Sequence, residues 1–217
     1  MTTDPPVAVD VVPSSLRVAE HVHSAAVEED PVSDIGTIGQ WARLVGRHRW
    51  LELQLFELLG GWAAEVPELD VKASLAAQSH HHAWHAELWE QRLPGTGELS
   101  ASAVTRPPRE ALVAFFHVLA ESSGTESTIE KLTGVHRVLL PRMITSYERH
   151  LASARPVADA PTIRSLRLVI TDEVEHWREG EALLQSLLRT DADVARAASW
   201  QGRLEAVLVA AGGLREA

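Results

Sequence analysis

Between Ile38 and Trp62 apolar side chains return in steps of three and four, as Ile38, Trp41, Val45, Leu55, Leu59 and Trp62. That spacing sets them along one face of an α-helix, the face that turns toward a core. Val71, Leu75 and Trp89 continue the rhythm in the next stretch, and Leu166, Val169, Leu183 and Leu187 repeat it further on. Ala, Leu, Glu and Arg dominate in between, with long runs free of proline, so the chain reads as nearly all helix. The pattern predicts helices over 36–65, 68–93, 109–122, 125–154 and 161–189, and a last one from a cap at Asp191 to Gly212-Gly213. Ser33 or Asp34 is the expected cap of the first helix, and Pro67 marks the turn after it. Residues 94–108 (PGTGELSASAVTRPP) are too rich in Pro, Gly and Ser for a helix, and with the short helix that follows they form a long crossover between two helical hairpins. Residues 1–34, with Pro5, Pro6, Pro13, Pro31 and the acidic Glu28–Asp30, show no sustained period and read as a disordered tail, which leaves 35–217 as one helical domain.

Polar residues interrupt the apolar stripes at the same spacing. His48 and Glu52 lie on the first stripe, Gln78, His82 and His85 on the second, and Glu173, His176 and Gly180 on the fourth long helix. An ionised carboxylate buried without a partner costs several kcal/mol, so such groups need one another or a cation. If the first hairpin turns at Pro67, Glu52 lies 15 residues before the turn and His82 lies 15 after it, which sets them at one level. His85, three residues on, points the same way.

These residues resemble the ferritin-like superfamily of di-iron carboxylate proteins, in which two helices each give a Glu and two others each give a Glu-x-x-His pair. Glu173-x-x-His176 in TDEVEHW matches one pair, Glu52 in RWLELQLFE matches a single glutamate, and His82-x-x-His85 in SHHHAWHAELW stands where the second pair would be, with histidine in place of glutamate. Thirty residues before Glu173, the separation of Glu52 and His82, stands Met143, a poor ligand for a hard cation. Tyr147 and Glu148 lie about one turn away and His136 about two. Pro141 removes a backbone hydrogen bond and is expected to kink or bulge that helix. The resemblance implies an all-α ferritin-like four-helix bundle with a long crossover and an extra C-terminal helix. It also implies a metal site built from Glu52, His82, His85, Glu173 and His176, holding one or two iron ions, with Mn or Zn as other fitting metals. No catalytic residue is assigned.

The 217 residues contain no cysteine, which removes thiolate ligands, iron–sulfur clusters and cysteine nucleophiles. A formal charge of -10 disfavours nucleic acid and anionic lipid as partners. The acidic, proline-containing start lacks the form of a signal peptide and no apolar run is long enough to span a bilayer, so a cytoplasmic location is expected. No Walker, Rossmann or nucleophile-elbow motif occurs. The expected function is therefore a non-haem metal oxidoreductase acting with oxygen or peroxide on a small organic substrate. The alternative is a ferritin-like binding or assembly module without a catalytic metal. The tryptophans (Trp41, Trp50, Trp62, Trp84, Trp89, Trp177 and Trp200) are expected in the core. The last helix is expected to cover the bundle or a homo-oligomer interface.

Overall fold

The computed structural model describes residues 37–214. The expected tail over 1–34 and its candidate caps Ser33 and Asp34 lie outside the described residues.

Among the described residues the structure is all helical, without a strand. Helix α1 (Ile38–Glu65) starts at Thr37, whose hydroxyl accepts from the Gln40 amide while the Gln40 side chain accepts from the Thr37 backbone N–H. This reciprocal cap satisfies two of the orphan donors of the first turn. The helix stops at Val66, which Pro67 holds in an extended conformation. Helix α2 (Leu69–Glu90) returns along α1, and this pair forms the most extensive helix–helix contact of the fold.

The predicted loop contains one short helix, α3 (Ala101–Val104), before α4 (Glu110–Ala120). Gly46 explains how α3 lies against α1, because a Cβ at that position would stand 2.3 Å from the Val104 carbonyl oxygen.

The predicted helix over 125–154 is one helical run in three parts. These are α5 (Thr128–Leu132), a π-helical stretch (Thr133–Leu139) and α6 (Leu140–Ser153). The expected irregularity near Pro141 is this π stretch, in which the Leu140 N–H bonds back five residues to Val135. Beyond it, the Arg142 side chain donates to the Val138 carbonyl. Helix α7 (Ala160–Leu187) packs on α2, α6 and the π stretch, and α8 (Asp191–Ala210) on α4, α5 and the π stretch. The cap of α8 is Thr190, bonded reciprocally with Asp193, and Asp191 is the first helical residue after it.

One apolar core runs through these helices, with Leu55, Leu59, Phe115, Leu132, Val169 and Leu204 among its fully buried members. The α2 stripe is buried at every predicted position. Elsewhere three readings need correction. Ile38 is 68 % exposed, since it sits in the first turn of α1. Leu184 is buried where Leu183 is only partly so, because a strict step of three drifts off a 3.6-residue helix. Trp84 and Trp177 are 40 % and 39 % exposed, while the other tryptophans are buried or packed against the core. Among the described residues no helix is long and apolar enough to cross a membrane.

Candidate metal centre

Glu52 of α1, His82 and His85 of α2, and Glu173 of α7 meet inside the bundle. All are buried, and one ligand atom from each lies within 4.8 Å of the others. The hairpin at Pro67 does what the count of residues predicts, and His82 Nδ1 stands 2.6 Å from Glu52 Oε2. Glu173 Oε1 lies 3.3 Å from His82 Nδ1 and 3.2 Å from His85 Nδ1, and the latter nitrogen is 3.5 Å from Glu52 Oε2. Ligands on opposite sides of an ion at about 2.1 Å are about 4.2 Å apart. The four groups therefore could hold a metal ion after small side-chain movements.

Hydrogen bonding leaves this centre incomplete. Both Glu173 oxygens, His82 Nε2, His85 Nδ1 and His176 Nδ1 are buried without a directed hydrogen bond. Such orphans are rare in folded proteins, and each costs about 1–3 kcal/mol, more when charged. The two carboxylates and two imidazoles instead hold one another by charge. Burial and Glu173 act to raise the Glu52 carboxyl, but His85 and His82 outweigh them and hold it below its ordinary value. Burial acts to raise Glu173 as well, and the charge of His82 with contacts to His176 and His85 holds it well below the carboxylate range. Burial would lower the imidazoles, yet Glu173 and Glu52 raise His82, and the same pair push His85 up to about 11. In the metal-free protein two protons thus sit where a dication would balance the same charge.

The surrounding groups fix the orientation of these ligands. His85 Nε2 donates to Asp172 Oδ2 at 3.1 Å, which turns Nδ1 toward the two glutamates. Tyr147 donates to Glu52 Oε1 at 2.5 Å, so the third long helix supplies a phenol where a carboxylate would be expected. Burial and the two carboxylates push that phenol well above its ordinary value, which keeps the proton on it.

The remaining sequence candidates lie around this centre. His176 stands at the edge of the cluster, with Nδ1 3.9 Å from Glu173 Oε2 and Nε2 2.8 Å from His81 Nδ1. Met143 is fully buried in the apolar core, and Glu148 is exposed. His136 bonds to the Leu132 carbonyl and to Gln78, against Gly180, where a Cβ would fall 1.9 Å from its ring. Arg49 goes to Glu90 and Thr105 and does not pair with Glu52. Asp172 was not among the candidates, because it lies one residue off the apolar stripe. Its signal is adjacency to Glu173 on the side of α7 that faces α2.

Comparison of the chain with protein-family models, with curated proteins and with solved structures finds no match.

Proposed function

We propose that the protein is a ferritin-like non-haem metal oxidoreductase that uses iron with oxygen or peroxide on a small organic substrate. The observation that carries this reading is Glu173, a fully buried carboxylate with neither oxygen in a directed hydrogen bond, facing two imidazoles and a second buried carboxylate. A cation would meet all of these contacts at once. Two hairpins joined by a long crossover support the ferritin-like assignment, since such bundles build metal sites from facing helices. Carboxylate and imidazole donors without thiolate suit iron, with manganese and zinc as competitors.

Glu52, His82, His85 and Glu173 would hold the ion, with His176 beside them. Bound iron would bind and activate oxygen or peroxide and pass to it electrons drawn from the substrate or an external reductant. The rest of the chemistry belongs to the chain. Asp172 orients His85, Tyr147 fixes Glu52 by donating to Oε1, and the apolar walls of α1, α2 and α7 exclude bulk water.

Metal analysis of protein purified without chelators, before and after iron reconstitution, tests the proposal. About one iron per chain or more, with a visible absorption band, is expected, and H82A and E173A should each lose it. Substoichiometric metal that does not rise on reconstitution, or full occupancy in both variants, would overturn the metal assignment. The third long helix, which brings the Tyr147 phenol and no carboxylate to Glu52 and keeps Met143 in the apolar core, favours the binding-module reading in that event.

A further inference from the structure

Glu52, His82, His85 and Glu173 are fully buried, so a cation that reaches them has to pass other side chains first. One imidazole joins this centre to the surface. His176 keeps Nδ1 on the inner side, 3.9 Å from Glu173 Oε2 and buried without a partner, and its ring centroid lies 5.6 Å from that of His82. Its other nitrogen, Nε2, meets His81 Nδ1 at 2.8 Å, and the two rings stack with centroids 5.1 Å apart. His81 is half-buried and its neighbour His80 is exposed. On α7, the partly exposed Asp172 carboxylate holds His85 Nε2 and stands near enough for its charge to act on His81.

The chemistry of this contact suits a passing ion. Two imidazole nitrogens at 2.8 Å share one proton. Two ligands of a single ion at about 2.1 Å, set about 90–109° apart, stand about 3.0–3.4 Å from each other, so a cation can replace that proton after a small opening of the pair. Such a site is weak, because it is half open to water and has one carboxylate beside it. The inner centre offers two carboxylates and two imidazoles away from water, where charges act more strongly, so an ion held at the pair is drawn inward. The formal charge of -10 brings cations to the surface in the first place.

We propose that His81 and His176 form the port by which a divalent cation enters the centre, held first between His81 Nδ1 and His176 Nε2 beside Asp172 and then passed along His176 to Glu173. The port rests on the metal reading of the centre and adds a route to it. His81 acts on that route and is not a ligand of the ion at its end.

Uptake of zinc ion by the metal-free full chain tests the proposal, with the ion left in solution read by a chromophoric chelator after set times. H81L removes the ring nitrogens and keeps most of the bulk, and it should take up zinc about tenfold more slowly than the parent. Release of zinc into excess chelator should slow by the same factor, so that the dissociation constant stays within about twofold of the parent's. H80L, which removes the neighbouring exposed imidazole, should match the parent in both rates. H81Q gives the same comparison should H81L lower the melting temperature. Uptake in the His81 variants as fast as in the parent, or faster, would overturn the proposal. So would a weakened dissociation constant, which would make His81 a ligand of the centre, or equal slowing in H80L, which would make any surface imidazole sufficient. A parent that holds no zinc at equilibrium would overturn the metal reading together with the port, and equilibrium content separates that result from a failure of the port alone.

Discussion

Two sets of buried histidines share this core and are driven in opposite directions. His85, between α1, α2 and α7, is pushed up to about 11, whereas His136 in the π stretch and His150 in α6 are pushed down to about 4. Burial acts on all three in the same sense, against the charged imidazolium. The difference is Glu52 and Glu173, whose charges reach His85 and outweigh burial. His136 meets the Leu132 carbonyl and Gln78, and His150 meets His48, neither of which offers a full negative charge in contact. A buried histidine on an apolar stripe is thus no sign of a metal site by itself. The sign is the convergence of carboxylates from two other helices on the same point.

Removing that convergence should erase the difference. In the metal-free protein, E52Q/E173Q keeps the shape of both side chains and removes both charges. His85 should then fall from about 11 toward its ordinary value of about 6.5, a loss of proton affinity of several kcal/mol, read from the pH dependence of its ring resonances by NMR. His85 still protonated at pH 8 in that variant would show that something other than the glutamates holds it. This is the largest effect expected, because two full charges act at 3.2–3.5 Å in a water-excluded place.

The neutral histidines carry a second, smaller prediction. A folded-state value near 4, below the unfolded value of about 6.5, means that the folded chain prefers the neutral ring. Their contribution to stability is therefore complete above about pH 6.5 and is lost as the pH falls toward 4. For His150 the loss between pH 7 and 4.5 is roughly 2–3 kcal/mol. Denaturant unfolding of the metal-free protein at the two pH values should show it, and H150F should lose that much less on acidification. An equal acid loss in H150F would mean that His150 titrates normally. His85 has the opposite sign, because its stabilising charge is present below about 6.5 and disappears as the pH rises through about 11.

Much of the centre was legible in the residues themselves, because a hairpin with one proline turn has simple arithmetic. Equal distances from Pro67 placed Glu52 against His82, and a three-residue step carried His85 to the same face. The third long helix resisted the same counting for a physical reason. The two hairpins turn over connections of different length, residues 66–68 between α1 and α2 and residues 154–159 between α6 and α7. The separation of Glu52 and His82 therefore does not carry over to the position counted back from Glu173. Met143 packs in the core, while Tyr147, a turn later, is the residue whose hydroxyl reaches Glu52. Trp84 and Trp177 show another limit, since helical spacing says which residues share a face but not how far a neighbouring helix covers it. Asp172 escaped notice because it stands beside the stripe and acts sideways, across the gap from α7 to α2.

Asp172 gives the smallest prediction and separates two ways of holding His85. The glutamates attract its ring by charge, and Asp172 orients it by accepting from Nε2 at 3.1 Å. D172N keeps an acceptor oxygen at that position but removes the negative charge that makes the far nitrogen a better donor to metal. Outer partners of this kind contribute about tenfold or more to metal affinity, or about 1.4 kcal/mol. D172N should therefore bind metal about tenfold more weakly in a chelator competition, and D172A, which also leaves the Nε2–H without its acceptor, should bind more weakly still. Both variants should keep the parent's stability in the metal-free state to within about 1 kcal/mol, since the Asp172 side chain is 31 % exposed and water replaces it readily. Equal affinity in the parent and both variants would mean that the two glutamates alone set the ring, and that the division between orienting and attracting groups does not hold in this bundle.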